Sequence, residues 1–220
     1  MNIFALSKCP VDSAEQVLDK HVIKMPTETC QMLHTNILYM QYVHVHGKEP
    51  QLKELKAFHK EIGSELMKPA MLNHPSTIWA RQSIANFHWL YQHGMALCEE
   101  YTYRYDKIHG SHDRIITGMR EREGINYSFP VTGLTPVTIA MDDKYRLDRN
   151  IFCEDQYDEW DFVIESYRNY YLEGKWRIAE WKQDRRPEWF PANHYATKYN
   201  VGVRAYNNTN PKYPMRLLEE

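Results

Sequence analysis

Apolar side chains recur at helical spacing near the start of the chain. Asp12 is suited to capping a helix, and Glu15 three residues later completes a capping-box pattern. Apolar positions then repeat every three or four residues as far as Met40, which places them on one helical face over several turns. Pro26 lies inside this pattern, where proline removes a backbone hydrogen bond and clashes with the preceding turn. The pattern therefore predicts either a kinked long helix or two abutting helices.

Further amphipathic segments follow along the chain, and strand-like alternation is absent from the pattern. The segment 76–105 has apolar and aromatic residues around almost its whole circumference, so we expect it to be the central, buried helix. Pro75 suits the first turn of that helix. The class predicted is all-α, a compact bundle around this central helix, and the other helices are expected at 51–67, 111–123 and 155–171.

Proline and glycine positions divide the predicted single domain, 1–220, into parts. Residues 1–124 form the helical core, and residues 125–150 have the irregular composition of a long connection. Helices are expected within 151–184. The segment 185–220 contains four prolines and is predicted to be an extended tail rich in basic and aromatic residues.

Two polar residues fall on the apolar face of the first long helix. At about 100° per residue, His21 and Glu28 both lie within about 20° of the centre of the apolar stripe, roughly 10 Å apart along the axis. A buried carboxylate must face a cavity, pair with a cation or become protonated. A cavity that holds an acid is a candidate active site, so Glu28 and His21 are candidate catalytic residues, with Lys24 at the edge of the stripe.

A structural explanation of the same residues remains open. Glu28 could tie helices together through a buried ion pair with Arg81 or Arg104. His21 could be a core histidine whose ring nitrogen is satisfied by a backbone carbonyl.

A second candidate cluster lies in the segment 74–89. With Trp79 as origin, Asn86 shares its helical face, so its amide is directed inward. Such an amide either fixes a neighbouring element or reads the edge of a ligand. On the second interpretation, His74, Trp79, Arg81 and Asn86 bind substrate.

Charge is distributed unevenly although the net charge is only −2. Residues 142–161 hold eight acidic and three basic side chains, whereas residues 167–216 hold ten basic and four acidic ones, interleaved with eleven aromatic residues. Cations neutralise phosphates and flat rings stack on unpaired bases, so this mixture favours a nucleic-acid-binding surface. Aromatic packing with a solvated basic rim is the alternative. The residues predicted to contact nucleic acid are Lys175, Arg177, Trp181, Lys182, Arg185, Arg186 and Trp189.

Composition excludes several other classes of protein. With 43% hydrophobic and 25% charged residues, the chain is typical of a folded soluble protein. It contains no long apolar run and no secretory signal pattern, so we expect no membrane partner and a cytoplasmic location, in the host if a phage encodes it. The four cysteines form no Cys-x-x-Cys pair, and the histidines form no metal-binding motif. No metal and no other cofactor is predicted.

Three motifs resemble a known family. The run 17–33, which contains His21 and Glu28, the run 74–79 and the run 186–190 are similar to phage and bacterial proteins distantly related to the pyrimidine-dimer DNA glycosylase of T-even phages. The resemblance implies a small all-α fold in which a glutamate seven residues after a histidine on the first long helix is catalytic. His21 and Glu28 reproduce this spacing.

Residue 2 departs from the family pattern. The glycosylase uses the amine of a small second residue, exposed by removal of the initiator methionine, to form a Schiff base with the sugar. Asn2 is bulky enough to leave Met1 in place. On this interpretation an amine nucleophile would have to be a desolvated lysine such as Lys24.

The leading hypothesis is therefore an enzyme that binds double-stranded DNA and acts on a pyrimidine nucleotide flipped out of the stack. Its reaction would be base excision or transfer of a group to a modified pyrimidine. The alternatives are a non-catalytic phage accessory protein that binds DNA or a host protein, and an enzyme that acts on free nucleotides.

Overall fold

The computed structural model describes residues 2–152, 158–192 and 194. Regular secondary structure in these ranges is entirely helical, without a β-strand, which confirms the predicted all-α class. None of the helices in this part of the chain has the length and apolar character needed to cross a membrane.

The first predicted helix is divided, but not at the proline. Helix α1 spans Pro10–Gln16 and α2 spans Asp19–His46, so the backbone is extended at Val17 and Leu18 while α2 continues through Pro26. Both residues between the helices are fully buried. Helix α1 begins with a proline in its first turn, two residues before the predicted cap at Asp12.

The central helical stretch is also divided in two. Helix α4 spans Pro75–Gln82 and α5 spans Ile84–Tyr105. Between them Ser83 is extended, and its hydroxyl accepts a hydrogen bond from the Asn86 backbone N–H, which caps α5. Ser83 is the sequence signal for this break, because serine is favoured at the position before a helix. The apolar pattern continues on both sides of Ser83 and obscured this signal.

Two shorter helices complete the N-terminal part. Helix α3 spans Leu52–Glu61, begins with a capping box of Gln51 and Glu54, and ends six residues earlier than expected. Helix α6 spans His112–Glu121. The connection after α3 runs back along α2, where Gln31 donates from its side chain to the Lys68 carbonyl and His34 accepts from the Met67 N–H.

Helix α5 packs against α1, α2 and α4 and forms the support behind α2. The approach to α2 is close at Gly94, where a Cβ atom would lie 2.7 Å from Thr29 Cγ2. Thr29 is buried and adjoins Glu28 in sequence. This contact holds the turn of α2 that carries Glu28 against a rigid neighbour.

The C-terminal elements pack on the same core. Residues 125–150 are largely irregular, as expected, with a 3₁₀ turn at Asp143–Tyr145 and the beginning of α7, Arg149–Phe152. Helix α8 spans Glu159–Tyr170; its predicted start at 155 lies outside the described residues. A π-helical turn, Tyr171–Lys175, and a 3₁₀ turn, Trp176–Ile178, follow it.

The described part of the predicted tail does not extend into solvent. Its backbone is non-helical at 185–192, as expected, but Phe190 is buried. The Trp189 indole donates to the Gln16 side chain, and Arg185 forms an ion pair with Glu100 of α5. The segment therefore packs back on α1 and α5. Residues 193 and 195–220 of the predicted tail lie outside the described residues.

Candidate active site

Glu28 lies where α2 meets the N-terminal segment. Its carboxylate forms an ion pair with Lys24 one turn earlier, at 2.9 Å, and accepts a hydrogen bond from the Asn2 backbone nitrogen at 3.1 Å. The side chain is 17% exposed, so the carboxylate is partly desolvated and still reaches solvent. A charged acid at such a position is strongly coupled to charge that develops near it.

A buried ion pair with Arg81 or Arg104 was the structural alternative for Glu28. The two arginines bind other groups. Arg104 binds Glu100 and Asp19, at 2.6 and 2.9 Å. Arg81 donates to the Leu72 carbonyl at 2.8 Å and lies over the Tyr39 ring. Both cations therefore serve other parts of the fold.

The nitrogen that approaches Glu28 is held firmly. Residues 3–6 are buried in the core, and the Ser13 hydroxyl of α1 donates to the Phe4 carbonyl and accepts from the Leu6 N–H. The Asn2 side chain donates to the Ala140 carbonyl at 3.0 Å and accepts from the Tyr167 hydroxyl at 2.8 Å. Residue 2 thus emerges from the core at a fixed position beside α2.

His74 belongs to the same region. It caps α4, where its Nδ1 accepts from the Ser76 N–H at 3.2 Å. Partial burial lowers the pKa of His74, the positive amino terminus lowers it further, and Glu28 acts in the opposite direction. These electrostatic effects show that His74 lies within range of Glu28, as the prediction of a substrate-binding role for this residue requires.

His21 is buried rather than exposed beside Glu28. Its ring stacks on Phe4 with centroids 4.0 Å apart, and Nδ1 lies 2.6 Å from the Tyr171 hydroxyl. Burial, with smaller contributions from Lys175 and Lys24, lowers the pKa of His21 to about 3. A neutral imidazole enclosed in this way is not a general acid at neutral pH. The structure therefore does not support a proton-transfer role for His21, and the partner of its ring is a tyrosine rather than a backbone carbonyl.

The family can now be assigned from comparison with known proteins. A sequence model of the family described as pyrimidine dimer DNA glycosylase matches residues 1–113, slightly more than half of the chain. The chain belongs to the pyrimidine dimer DNA glycosylase family. No curated protein and no solved structure shows significant similarity to it. The match includes Asn2, Lys24, Glu28 and His74, whereas Ala140 and Tyr167 lie beyond it.

Lys24 is not the desolvated amine that the sequence suggested for this glycosylase relative. Its side chain is 69% exposed, so it is not a buried amine. Its contact with Glu28 makes it a countercharge to the carboxylate. The backbone nitrogen of residue 2 contacts the other oxygen of the same carboxylate.

Three of the four predicted substrate-binding residues have structural contacts. Trp79 is 1% exposed and its indole donates to Thr135. The Asn86 amide donates to the Trp79 carbonyl and to the Thr135 hydroxyl, and accepts from the Thr135 N–H. Arg81 holds the connection before α4 through the Leu72 carbonyl. These residues fix the irregular segment 125–150 and the connection before α4, so the structure supports the structural alternative for them.

The predicted nucleic-acid-binding residues separate into packed and exposed ones. Trp181 donates to the Gln16 carbonyl and packs on Phe190, and Trp189 binds the Gln16 side chain, so neither ring is free to stack on a base. Arg185 is held by Glu100 and Glu15. Lys175 lies over the Tyr170 ring and is half-buried. The exposed cations of this set are Arg177, Lys182 and Arg186.

In the ranges that the structure describes, no three His, Cys, Asp or Glu side chains converge in a way that could hold a metal ion.

The sequence did not predict the Asn2 contacts with Ala140 and Tyr167, because the partners are 138 and 165 residues away. A polar side chain next to a buried apolar run, Ile3–Leu6, was the available signal.

Buried neutral histidines predict a pH-dependent stability. The pKa values of His21 and His93, 6.5 in ordinary surroundings, are lowered to about 3 and about 4 chiefly by burial. Below pH 6.5 the unfolded chain therefore binds protons that the folded chain does not, so the free energy of unfolding falls as pH decreases toward 4. Between pH 7.5 and 5 we expect a loss of about 2 kcal/mol per histidine. Urea denaturation at several pH values measures it.

A His21→Gln variant tests the assignment of this effect. Its stability should fall by about 2 kcal/mol less than that of the wild type between pH 7.5 and 5, whereas His44→Gln, at an exposed position, should show the wild-type decrease. Equal pH dependence in the His21 variant and the wild type would contradict the burial argument.

Proposed function

We propose that this chain is a DNA repair glycosylase that removes a pyrimidine of a dimer from double-stranded DNA, and that Glu28 is its catalytic carboxylate. Membership of the pyrimidine dimer DNA glycosylase family supports the reaction class. The observation that carries the proposal is the position of Glu28, which is partly buried, reaches solvent, and lies between an ammonium group and the nitrogen of residue 2.

The chemistry proposed for Glu28 follows from the charge that develops in base excision. Breaking the bond between the sugar C1′ and the base nitrogen leaves positive charge on the sugar and an electron pair on the base. A fixed carboxylate next to the sugar stabilises that charge and accepts a proton from a water molecule whose oxygen bonds to C1′, while the departing base keeps the electron pair and takes up a proton. Lys24 offsets part of the negative charge of Glu28 before substrate binds. His21, neutral and enclosed, supports the beginning of α2 rather than transferring a proton.

The segment that carries the exposed cations meets the beginning of α2, the end nearer to Glu28. The Asp19 N–H donates to the Glu180 carbonyl, and the Lys182 N–H donates to the Asp19 carboxylate. From Asp19 to Glu28 the helix rises about 14 Å, which is roughly the rise of four base pairs along the axis of a DNA duplex. Lys182 therefore lies near enough to the candidate active site to contact the same duplex, and Arg177 and Arg186 are exposed within five residues of it in sequence.

Removing two of these cations should weaken the salt dependence of DNA binding. In an Arg177→Gln/Arg186→Gln double variant, the slope of log K against log salt should become less steep by about 0.9 for each phosphate that the protein no longer neutralises. Fluorescence anisotropy with an irradiated duplex measures the slope. Arg120→Gln, at an exposed position on α6, is the control and should leave it unchanged. An unaltered slope in the double variant would place the DNA elsewhere.

The proposed function is tested by the product formed from damaged DNA. The purified protein is incubated with ultraviolet-irradiated plasmid, untreated plasmid, and irradiated plasmid whose dimers have been reversed by photolyase. We expect abasic sites or strand breaks only where dimers remain. Equal action on all three samples, or none, would exclude dimer excision. Mass spectrometry of the digested nucleosides would reveal group transfer instead, and salt-insensitive binding would indicate a free nucleotide as the substrate.

A further inference from the structure

The side chain of Asn2 belongs to a closed set of hydrogen bonds. Its Nδ2 donates to the Ala140 carbonyl at 3.0 Å, the Ala140 N–H donates to the Tyr167 hydroxyl at 3.2 Å, and that hydroxyl donates to Asn2 Oδ1 at 2.8 Å. Asn2 Oδ1 also accepts from the Ile3 N–H at 2.8 Å. The Asn2 amide and the Tyr167 hydroxyl thus each donate one hydrogen bond and accept one within a ring of contacts, here called the Asn2 clamp.

The partners in the clamp are rigid. Tyr167 is fully buried on α8, and its ring packs edge-on against Phe4 with centroids 5.8 Å apart. Burial raises the pKa of the Tyr167 hydroxyl, so it remains a protonated donor at neutral pH. Ala140 belongs to the segment 125–150, which Asn86 and Trp79 hold through Thr135. The clamp therefore ties residue 2 to two elements that are themselves fixed.

The clamp faces the core on one side and Glu28 on the other. The backbone nitrogen of the same Asn2 residue lies 3.1 Å from Glu28 Oε2, while Lys24 Nζ contacts Oε1. A carboxylate that receives a contact on each oxygen has a defined orientation. The Lys24 contact comes from an exposed, flexible side chain, so of these two contacts the Asn2 nitrogen is the one able to impose that orientation.

We propose that Tyr167, with Asn2 and the Ala140 peptide, positions the catalytic carboxylate of Glu28 through the nitrogen of residue 2. This inference rests on the proposed function. It gives the asparagine at residue 2 a specific use, and it makes α8 and the segment 125–150, both beyond the matched part of the chain, necessary to the active site. Tyr167 is a positioning residue and does not contact substrate.

The clamp is tested with Tyr167→Phe, which removes the hydroxyl but keeps the ring. Misplacement of a catalytic group by a fraction of an ångström slows turnover without changing contacts to the remainder of the substrate. We expect kcat for dimer excision to fall roughly 10- to 100-fold while KM and the Kd for irradiated duplex change less than about twofold. Tyr42→Phe is the matched control, since Tyr42 is also buried and hydrogen-bonded but contacts Glu54 on α3. It should have wild-type kcat.

Two combinations separate positioning of Glu28 from a general loss of structure. In a Glu28→Gln background, Tyr167→Phe should cause no further loss of kcat, because the group it positions is already absent. Asn2→Leu keeps a second residue bulky enough to leave Met1 in place but removes the amide, so it should reproduce the effect of Tyr167→Phe, and the double variant should be no slower than either single one. Additive losses would overturn the proposal, and Asn2→Leu alone decides it if the Tyr167 variant does not fold.

A measurement that does not depend on turnover distinguishes failure of the clamp from failure of the proposed function. The ¹³C signal of the Glu28 carboxyl, assigned by its absence in Glu28→Gln, should move in Asn2→Leu and Tyr167→Phe but not in Tyr42→Phe. An unmoved signal would overturn the clamp. A moved signal in a protein that forms no abasic site or strand break in irradiated DNA would overturn the proposed function and leave the clamp as the support of Glu28.

Discussion

Replacement of Glu28 by glutamine should reduce kcat for dimer excision by about 10²- to 10⁴-fold. Glutamine keeps the shape of the side chain and an oxygen that accepts from the Asn2 nitrogen, but it neither stabilises a cationic sugar nor accepts a proton. The Kd for irradiated duplex should remain unchanged or decrease, because a negative charge next to the phosphates has been removed. Steady-state excision and anisotropy titrations on the same preparation measure the two quantities.

The control for this substitution is Glu61→Gln, which removes one exposed carboxylate at the end of α3. It should alter neither kcat nor the free energy of unfolding. If Glu28→Gln instead abolished folding, Glu28 would be a structural residue. If it folded normally and excised dimers at the wild-type rate, the candidate active site would be wrong, whatever the affinity for DNA.

The position of Glu28 could be predicted from sequence for a physical reason. Burial of a carboxylate is costly, so a glutamate on the apolar face of a helix indicates a special environment. The structure shows such an environment in the contacts with Lys24 and the Asn2 nitrogen. The spacing from His21 pointed to the same residue, although His21 itself proved to be enclosed by Phe4 and Tyr171.

The same argument failed for Asn86 because an inward polar side chain has two explanations that sequence does not separate. Its amide is fully used by the Trp79 carbonyl and by Thr135, which is 49 residues away in an irregular segment. Helical periodicity shows which side of a helix a residue lies on, but not which distant backbone reaches it. The difference between a ligand site and a structural contact therefore depended on tertiary structure.

The C-terminal quarter shows a similar limit. Interleaved basic and aromatic residues favoured a nucleic-acid surface, but the indoles of Trp181 and Trp189 donate to Gln16 and pack inward. Composition predicts that rings and cations are near one another, not which of them faces solvent. Among the seven residues predicted to contact nucleic acid, all of them described by the structure, Arg177, Lys182 and Arg186 are the exposed cations.

The largest effect on stability is expected from Arg104, which joins the end of α1, the beginning of α2 and α5. Its side chain is fully buried and donates to Glu100, Asp19 and the carbonyls of Glu15 and Val17. These carbonyls lie where α1 ends and have lost their helical partners. The buried guanidinium therefore satisfies two carboxylates and two backbone groups at once.

Arg104→Met should lower the free energy of unfolding by about 3–5 kcal/mol, because it leaves the carboxylates of Glu100 and Asp19 buried without their main countercharge. Arg185 also contacts Glu100, at 3.2 Å, but its side chain is 30% exposed and it does not reach the α1 carbonyls. Urea denaturation measures the loss, with Arg114→Met at an exposed position on α6 as the control, expected to change stability by less than about 0.5 kcal/mol. Equal losses in the two variants would show that the Arg104 contacts contribute no more to stability than a solvated surface charge.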